Sequence, residues 1–225
     1  MNLIIFDIDG TLCWSNNLDD QCFIQAFENV LSIKIEETNW DNYINITDHG
    51  IIEQLYNEHF NRNPDIEIFK KIKDRYLFLL RNEIERNERD FQEIPGALSF
   101  IKILKKERWI VGIATGGFQN TANFKLKKLG LNIDNYYIFY SDIYKTKREI
   151  IDSVINETKR MIGREVLNRI IYVGDRPHDY EIATYMNLEF LGIDFKKTGL
   201  LKKIGVKNVI SDFLDFKNLN RILKI

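Results

Sequence analysis

The chain has 225 residues, of which 44% are hydrophobic and 29% charged, with a net charge of −1 at pH 7. This is the composition of a globular protein of one or two domains, and the balanced charge excludes a global basic field for nucleic acid. No apolar run approaches the ~18 residues of a membrane span, and the two cysteines fit no metal-binding spacing, so we expect free thiols. We expect a cytoplasmic protein without a cleaved signal peptide, because the first strand begins at Asn2.

The first apolar run, residues 3–6, ends in two carboxylates, Asp7 and Asp9. The run predicts a buried parallel strand, and ligands of open α/β sheets bind beyond the carboxyl ends of such strands. One carboxylate could attack an electrophile while the other transfers protons. The alternative is an acidic strand-to-turn junction in which Gly10 is an ordinary turn residue.

Residues 15–90 contain no convincing strand, and apolar residues recur there at helical spacing in the stretches 23–31, 51–60 and 68–80. This spacing predicts amphipathic helices that bury one face each. Residues 13–91 carry 16 Asp and Glu against 9 Lys and Arg. This excess of acid indicates either a lobe with its own surface or simply solvated helix faces.

After the turn at Pro95-Gly96, helices and strands alternate. A helix follows the turn, and strands are predicted at residues 109–114, 137–140, 170–173, 190–193 and 209–210, with helices at 119–129 and 147–161. Alternation of this kind implies parallel strands joined by helical crossovers. The predicted fold class is therefore α/β, with a doubly wound parallel sheet.

Polar residues suited to phosphoryl chemistry follow these strands. Thr115-Gly116-Gly117 ends the strand at 109–114, and Gly174-Asp175 ends the strand at 170–173, with Asp179 four residues later. Between them, Lys145 and Lys147 precede a helical pattern. The order Asp-x-Asp, Thr, Lys, Gly-Asp-x-x-x-Asp resembles the four motifs of the haloacid dehalogenase (HAD) superfamily. The segment 113–131, with Ala122, Lys125 and Leu126, is similar to its phosphoglycolate-phosphatase-like members.

The resemblance implies a Rossmann-like catalytic core of residues 1–13 and 92–225 and an inserted α-helical cap of residues 14–91. Hinges are expected near residues 11–15 and 93–96, where the chain passes between the two. Position 14 holds Trp14, where related phosphatases often carry an acidic residue, and Met186-Asn187 stands where a glycine is common. Both departures weaken any close subfamily assignment.

In HAD terms, Asp7 is the nucleophile that forms an aspartyl-phosphate, and Asp9 is the general acid and base. Asp7 must approach a phosphate dianion, so a hard cation is needed, and the cofactor is Mg²⁺. The implied ligands are the Asp7 carboxylate, the Asp9 carbonyl and Asp175, with Asp179 binding directly or through water. Helix capping is the alternative role for Asp175 and Asp179.

Thr115 and Gly116 would bind the phosphoryl oxygens, although Thr-Gly-Gly on its own is more often a plain turn. Lys147 would hold Asp7 ionised and offset charge on the transferred group, and Lys145 could take this role if the helix began sooner. In the cap, Asp48 and His49 are candidates for substrate specificity. The alternative is a helix N-cap formed by Asp48, with Gly50 in a turn.

The sequence therefore predicts a Mg²⁺-dependent phosphomonoesterase acting on a small phosphorylated metabolite. A sugar phosphomutase of the same fold also needs Asp7 and Asp9, but the Thr115 loop and the acidic cap argue against it. A catalytically idle binding module is a third possibility, and the intact motifs argue against it. The sequence names neither the substrate nor the oligomeric state.

Overall fold

A computed structural model of the protein describes residues 1–86, 90–163 and 166–224. Its strands in chain order are β1 (Asn2–Phe6), β2 (Cys13–Trp14), β3 (Gln92–Glu93), β4 (Trp109–Ala114), β5 (Tyr137–Phe139), β6 (Arg169–Gly174), β7 (Glu189–Ile193) and β8 (Val209–Ile210). Its helices are α1 (Asn16–Leu31), α2 (Asp48–Phe60), α3 (Ile66–Arg86), α4 (Ala97–Lys106), α5 (Gln119–Lys128), α6 (Lys147–Ile162), α7 (Pro177–Tyr185), α8 (Leu200–Lys203) and α9 (Phe216–Leu223).

Six of the strands form one parallel sheet in the order β5-β4-β1-β6-β7-β8. β1 is central and alternates its side chains between the two faces. Ile4 and Phe6 pack in one cluster, whereas Leu3 and Ile5 pack in another with Ile150 and other residues of α6. Both faces of the strand are buried, which is why its sequence is a continuous apolar run. The predicted α/β fold with a doubly wound parallel sheet is confirmed.

The helices α1, α2 and α3 lie between β2 and β3, and we call residues 14–91 the helical insert. β2 and β3 pair as a two-stranded antiparallel ribbon, with Cys13 opposite Glu93 and Trp14 opposite Gln92. α1 packs along α3. The ring of Phe23 in α1 lies 5.7 Å from the ring of Tyr76 in α3, edge to face. The chain therefore enters and leaves the insert at one place.

Most predicted elements are present within one or two residues of their expected bounds. The sequence prediction omitted the ribbon, because two-residue strands are too short to show a period. It also omitted the helices α7, α8 and α9. In α9 the buried apolar residues are only Leu219 and Leu223. Among the described helices, none has the length and apolar character needed to cross a membrane.

Candidate active site

The turn after β1 places the first two carboxylates at the carboxyl edge of the sheet. The Asp7 amide still donates to the Val173 carbonyl of β6 at 2.9 Å, so Asp7 continues the strand register. Gly10 then adopts a φ of +75°, and its amide donates to the Cys13 carbonyl at 2.8 Å. A Cβ at Gly10 would lie 2.0 Å from an Asp175 carboxylate oxygen, so any other residue here would displace the Asp175 side chain.

Asp7 forms an ion pair with Lys147, whose Nζ lies 2.8 Å from Asp7 Oδ1 in a buried setting. Thr146 caps α6 in a capping box with Glu149, so Lys147 is the first helical residue. Burial, with the charges of Asp179 and Asp9, raises the pKa of Asp7 more than the Lys147 ammonium lowers it. Burial alone would lower the pKa of Lys147, but the carboxylates of Asp7, Asp179 and Asp175 together outweigh it and the pKa is raised.

Lys145, the alternative lysine, lies elsewhere. Its Nζ contacts Glu53 Oε1 of the helical insert at 2.6 Å, and its side chain is 53% exposed. The position of the helix N-cap decides between the two lysines, because Cβ atoms of a helix tilt towards its N-terminus. That tilt directs the first helical side chain, Lys147, back towards the carboxyl edge of the sheet.

Asp7, Asp175 and Asp179 come together, each offering a carboxylate oxygen within 4.8 Å of the others. Asp179 is fully buried, and its Oδ2 accepts from the amides of Asp175 and Arg176 while its Oδ1 accepts from Tyr172 Oη at 2.8 Å. Burial would raise the pKa of Asp179, but His178, Lys147 and the hydrogen bonds from Arg176 and Tyr172 together outweigh it and the pKa is lowered. Asp179 therefore caps the α7 N-terminus and also belongs to the carboxylate cluster.

This cluster has the chemistry of a site for a hard divalent cation. Its donors are carboxylate oxygens at the carboxyl edge of the sheet, and Mg²⁺ prefers such ligands. The Asp9 carboxylate is not one of the groups in the cluster and instead forms an ion pair with Lys125 of α5. The Asp9 backbone carbonyl is a ligand that the HAD resemblance implies.

Asp9 has a partner that the sequence analysis missed. Lys125 Nζ in α5 lies 2.7 Å from Asp9 Oδ1, 2.6 Å from Asp9 Oδ2 and 2.9 Å from Asp19 Oδ1 in α1. The Ser15 hydroxyl donates to Asp9 Oδ1. Burial acts to raise the pKa of Asp9, but Lys125 outweighs it and the pKa is lowered. Burial and the Asp9 charge raise the pKa of Asp19 to about 6.

One signal could have identified Lys125. The buried face of α5 consists of Thr121, Ala122, Lys125 and Leu126, so the lysine interrupts an otherwise uncharged stripe. Asp19 of α1 is 16% exposed and lies beside the buried residues Leu18, Cys22 and Phe23. Charged residues are seldom fully buried unless paired, so the buried Lys125 predicts an acidic partner without naming it.

The Thr115 loop joins the core to the helical insert. Thr115 is buried, and its hydroxyl accepts from the Gly117 amide at 3.0 Å. The Asp48 amide of the insert donates to the Gly116 carbonyl at 2.9 Å. A Cβ at Gly116 would lie 3.1 Å from the Ile46 carbonyl oxygen. The glycine thus permits a close approach of the two backbones.

Asp48 does not cap its own helix, so that interpretation of the loop is wrong. Thr47 is the N-cap of α2 and accepts from the Gly50 amide at 3.0 Å. Asp48 Oδ2 instead accepts from the amide of Phe118, which precedes α5, at 3.0 Å. Burial raises the pKa of Asp48 well above its ordinary value.

His49 faces away from the chemistry. Its Nδ1 lies 3.1 Å from the Ser141 carbonyl oxygen, and its ring packs against Phe69 with the centroids 4.4 Å apart. Trp14, the departure from the family pattern, packs its ring against Phe195 at 5.9 Å and beneath Lys196 Nζ at 4.1 Å. His49 therefore contacts the core at Ser141, and Trp14 contacts it at Phe195 and Lys196.

A cavity of about 80 Å³ lies between the sheet edge and the helical insert. The core contributes the candidate catalytic groups Asp7, Asp9, Thr115 and Lys147, together with Arg176 and His178. From the insert come Asp20, Phe23, Trp40, Ile46, Asp48 and Ile51. His49 and Lys125 lie outside this lining. The arrangement suits a small ligand that presents an electrophile to Asp7.

Comparison with solved structures finds the same fold over the whole chain. A hydrolase from Pseudomonas syringae is 22% identical with a TM-score of 0.72, covering 100% of this chain and 99% of that one. CbbY from Rhodobacter sphaeroides, in complex with phosphate, is 15% identical with a TM-score of 0.70, covering 96% of each chain. A predicted phosphoglycolate phosphatase from Haemophilus somnus is 15% identical with a TM-score of 0.65, covering 98% of each chain.

No curated protein matches the chain. The family model of haloacid dehalogenase-like hydrolases matches residues 4–193, a span that contains every candidate catalytic residue described above. The chain therefore belongs to the haloacid dehalogenase-like hydrolase family.

Proposed function

We propose that the protein is a Mg²⁺-dependent phosphomonoesterase that hydrolyses a small phosphorylated metabolite through an aspartyl-phosphate intermediate. One observation carries the proposal. Asp7 Oδ1 lies 2.8 Å from Lys147 Nζ, carboxylate oxygens of Asp7, Asp175 and Asp179 lie within 4.8 Å of one another, and Asp7 and Lys147 line a small cavity. A nucleophile, a fixed positive charge and ligands for a hard cation thus meet at one point.

Asp7 attacks phosphorus and takes over the phosphoryl group, while the bond to the ester oxygen breaks. Lys147 stabilises negative charge on the transferred group from a fixed position. Asp7, Asp175 and Asp179, with the Asp9 carbonyl, would hold Mg²⁺. When bound, the cation neutralises the phosphate dianion and polarises the phosphoryl group.

Asp9 acts as the general acid and base. It gives a proton to the departing alkoxide and later takes one from the water that hydrolyses the aspartyl-phosphate. Thr115 and Gly116 lie at the cavity, where the hydroxyl and the backbone amide can hold the phosphoryl oxygens. The products are the free alcohol and inorganic phosphate.

We propose that the helical insert acts as a cap over this site and selects the substrate. Asp48 lines the cavity and would contact the leaving group, whereas His49 would hold the insert on the core through Ser141. Among the described residues, the insert lends no cationic side chain to the cavity lining. A mutase must hold a second phosphate there, so the lining favours a phosphatase.

The test is hydrolysis of p-nitrophenyl phosphate and a panel of small phosphate monoesters by the purified protein. We expect turnover with Mg²⁺, none in excess EDTA, recovery when Mg²⁺ is restored, and little recovery with Ca²⁺, whose larger and looser coordination shell positions Asp7 poorly. Asp7→Asn should reduce turnover by at least ~10⁴-fold, because it removes the nucleophile and keeps its shape.

Asp134→Asn is the matched control, because Asp134 is an exposed aspartate remote from the cavity. It should retain wild-type turnover. Full activity in excess chelator would refute the metal assignment. Near-normal turnover by natively folded Asp7→Asn would refute the covalent mechanism, and turnover that requires a sugar bisphosphate would indicate the mutase.

A further inference from the structure

The geometry points to Lys125 as a positioning residue that holds the acid/base carboxylate of Asp9 in its working orientation. This inference rests on the proposed phosphatase function and assigns a role to a residue outside the four family motifs. Lys125 lies on α5, and its side chain is 1% exposed. Its only described ion-pair partners are Asp9 and Asp19.

The contacts of Lys125 exclude a direct role on phosphate. An ammonium group has three N–H donors. Here Nζ meets three oxygens, Asp9 Oδ1 at 2.7 Å, Asp9 Oδ2 at 2.6 Å and Asp19 Oδ1 at 2.9 Å. Its hydrogen-bonding capacity is therefore used by the two carboxylates, and Lys125 does not line the cavity. Any effect of Lys125 on the reaction must therefore pass through Asp9 or through Asp19 of the insert, and only Asp9 lines the cavity.

A carboxylate on a turn is free to rotate unless something fixes it. Asp9 follows β1 by three residues and would turn about its side-chain bonds in the absence of partners. The two contacts from Lys125 and the hydroxyl of Ser15 fix the plane of the carboxylate. Proton transfer depends on such alignment, and small misplacements of a catalytic group reduce the rate strongly.

Lys125 also connects Asp9 to the phosphate-binding loop and the insert. The helix α5 begins directly after Thr115-Gly116-Gly117, so one rigid element carries both that loop and the lysine. Asp19, which anchors the far side of Nζ, belongs to α1 of the insert. Through α5, the orientation of the Asp9 carboxylate is therefore fixed relative to the loop that would hold the phosphoryl group.

A purely structural role would not call for this arrangement. Two carboxylates that are only 19% and 16% exposed share one buried lysine, so this group holds two acidic side chains against one basic side chain. Burying charge is costly, and apolar residues of similar volume often serve stability as well or better. A functional requirement on Asp9 explains why the charges are there.

Leaving-group dependence tests the inference. p-Nitrophenolate departs as a stable anion and needs no proton, whereas an alkoxide such as that of glycerol 3-phosphate needs one. The ratio kcat/KM covers only the steps up to departure of the leaving group. In Lys125→Met we expect kcat/KM to fall at least ~100-fold for glycerol 3-phosphate, and less than ~5-fold for p-nitrophenyl phosphate.

Lys127→Met is the matched control, because it removes an exposed lysine from the same helix. It should leave both ratios unchanged. Asp9→Asn is the reference variant and should show the same selective loss. If circular dichroism shows that Lys125→Met does not fold, Asp19→Asn decides the question, since it retains the lysine but removes one anchor. Selective loss on the alkyl ester in the folded variant supports the inference.

Equal loss on both esters, or loss on neither, would overturn the role of Lys125. A different result would refute the proposed function, namely a wild-type protein that hydrolyses neither ester in the presence of Mg²⁺. An active wild type with an unselective Lys125→Met variant would therefore refute only the positioning role.

Discussion

Two aspartate–lysine pairs lie side by side in this protein and behave differently. Asp7 and Lys147 are 2.8 Å apart, and Asp9 and Lys125 are 2.6 Å apart, with both lysines buried. Yet the pKa of Asp7 is raised and that of Asp9 is lowered. Lysine contacts one oxygen of Asp7 but both oxygens of Asp9, and Asp9 also accepts from Ser15. The lysine alone therefore does not decide the direction of the pKa shift, which depends on burial and on the other groups around each carboxylate.

The two pairs also differ in where they are anchored. Lys147 and Asp7 both belong to the α/β sheet and its crossover helix. Lys125 reaches from the core to Asp19 of the helical insert, so the second pair includes the boundary between core and insert. The first pair is suited to bond making at phosphorus, and the second to a proton transfer that depends on the position of the insert.

Removing Lys147 should have the largest effect on kcat/KM and should show most clearly how the two aspartate–lysine pairs differ. In Lys147→Met, Asp7 loses its cation and the transferred group loses a fixed positive charge, so we expect kcat/KM to fall ~10²–10³-fold. Because phosphorus is attacked in every substrate, the loss should be similar for p-nitrophenyl and alkyl phosphates. Steady-state kinetics on both esters measures this loss. Lys125→Met, in contrast, should lose activity mainly on the alkyl ester.

Lys145→Met is the control for that experiment. It removes a lysine two residues away whose partner is Glu53, and it should change kcat/KM less than ~2-fold on either ester, since surface ion pairs contribute little. A large loss in Lys145→Met with little loss in Lys147→Met would reverse the assignment of the two lysines.

Gly10→Ala disturbs the carboxylate cluster proposed to hold Mg²⁺ and leaves both aspartate–lysine pairs in place. The added Cβ would lie 2.0 Å from an Asp175 oxygen, so Asp175 must move while both aspartate–lysine pairs remain. We expect the Mg²⁺ concentration for half-maximal activity to rise ~10-fold or more, by analogy with the loss seen when the support of a ligand is disturbed. Titration of activity with Mg²⁺ measures this shift.

Gly130→Ala is the control that introduces backbone strain without a clash. Gly130 has a φ of +88°, and a Cβ there meets no heavy atom of the described residues within 4 Å. In both variants the alanine must adopt a left-handed backbone conformation, which destabilises the folded state by about 1–2 kcal/mol. Only Gly10→Ala should change the Mg²⁺ requirement, and equal shifts in the two variants would show that strain alone is responsible.

Asp48→Asn should have the smallest effect, and it concerns stability. Burial raises the pKa of Asp48 well above 3.8, so the folded state binds more protons than the unfolded state as pH rises beyond that value. Stability contributed by this carboxyl is therefore greatest at low pH and decreases as pH rises. Asparagine can still accept from Phe118 but carries no charge.

Asp48→Asn should raise the free energy of unfolding by ~1–2 kcal/mol near neutral pH, with a larger gain at about pH 8 than at about pH 5. Urea unfolding at both pH values measures it. Asp74→Asn, an exposed change in the same insert, should stay within about 0.5 kcal/mol of wild type. A gain that does not depend on pH would show that the charge of Asp48 is not the cause.

The sequence predicts the parts of this site that lie on strand ends, because a buried strand is visible as an apolar run and its end is fixed. Asp7, Thr115 and Asp175 follow this rule. Lys125 and Asp19 do not, since each lies within a helix and helical spacing shows only which face is buried. Their partners come from distant segments of the chain. Which helices pack against each other depends on tertiary structure, and the spacing of residues within one helix does not reveal it.

The ribbon of β2 and β3 has a consequence for how the molecule can change over evolutionary time. Because the chain leaves the core at Cys13 and returns beside it at Glu93, the two ends of the insert are neighbours. A different module could occupy that gap without moving a strand of the sheet. Exchange of such modules would alter which esters are accepted while the phosphoryl chemistry is inherited unchanged. Ser15 and Asp19, however, would be replaced too, so each new module must again provide anchors for Asp9 and Lys125.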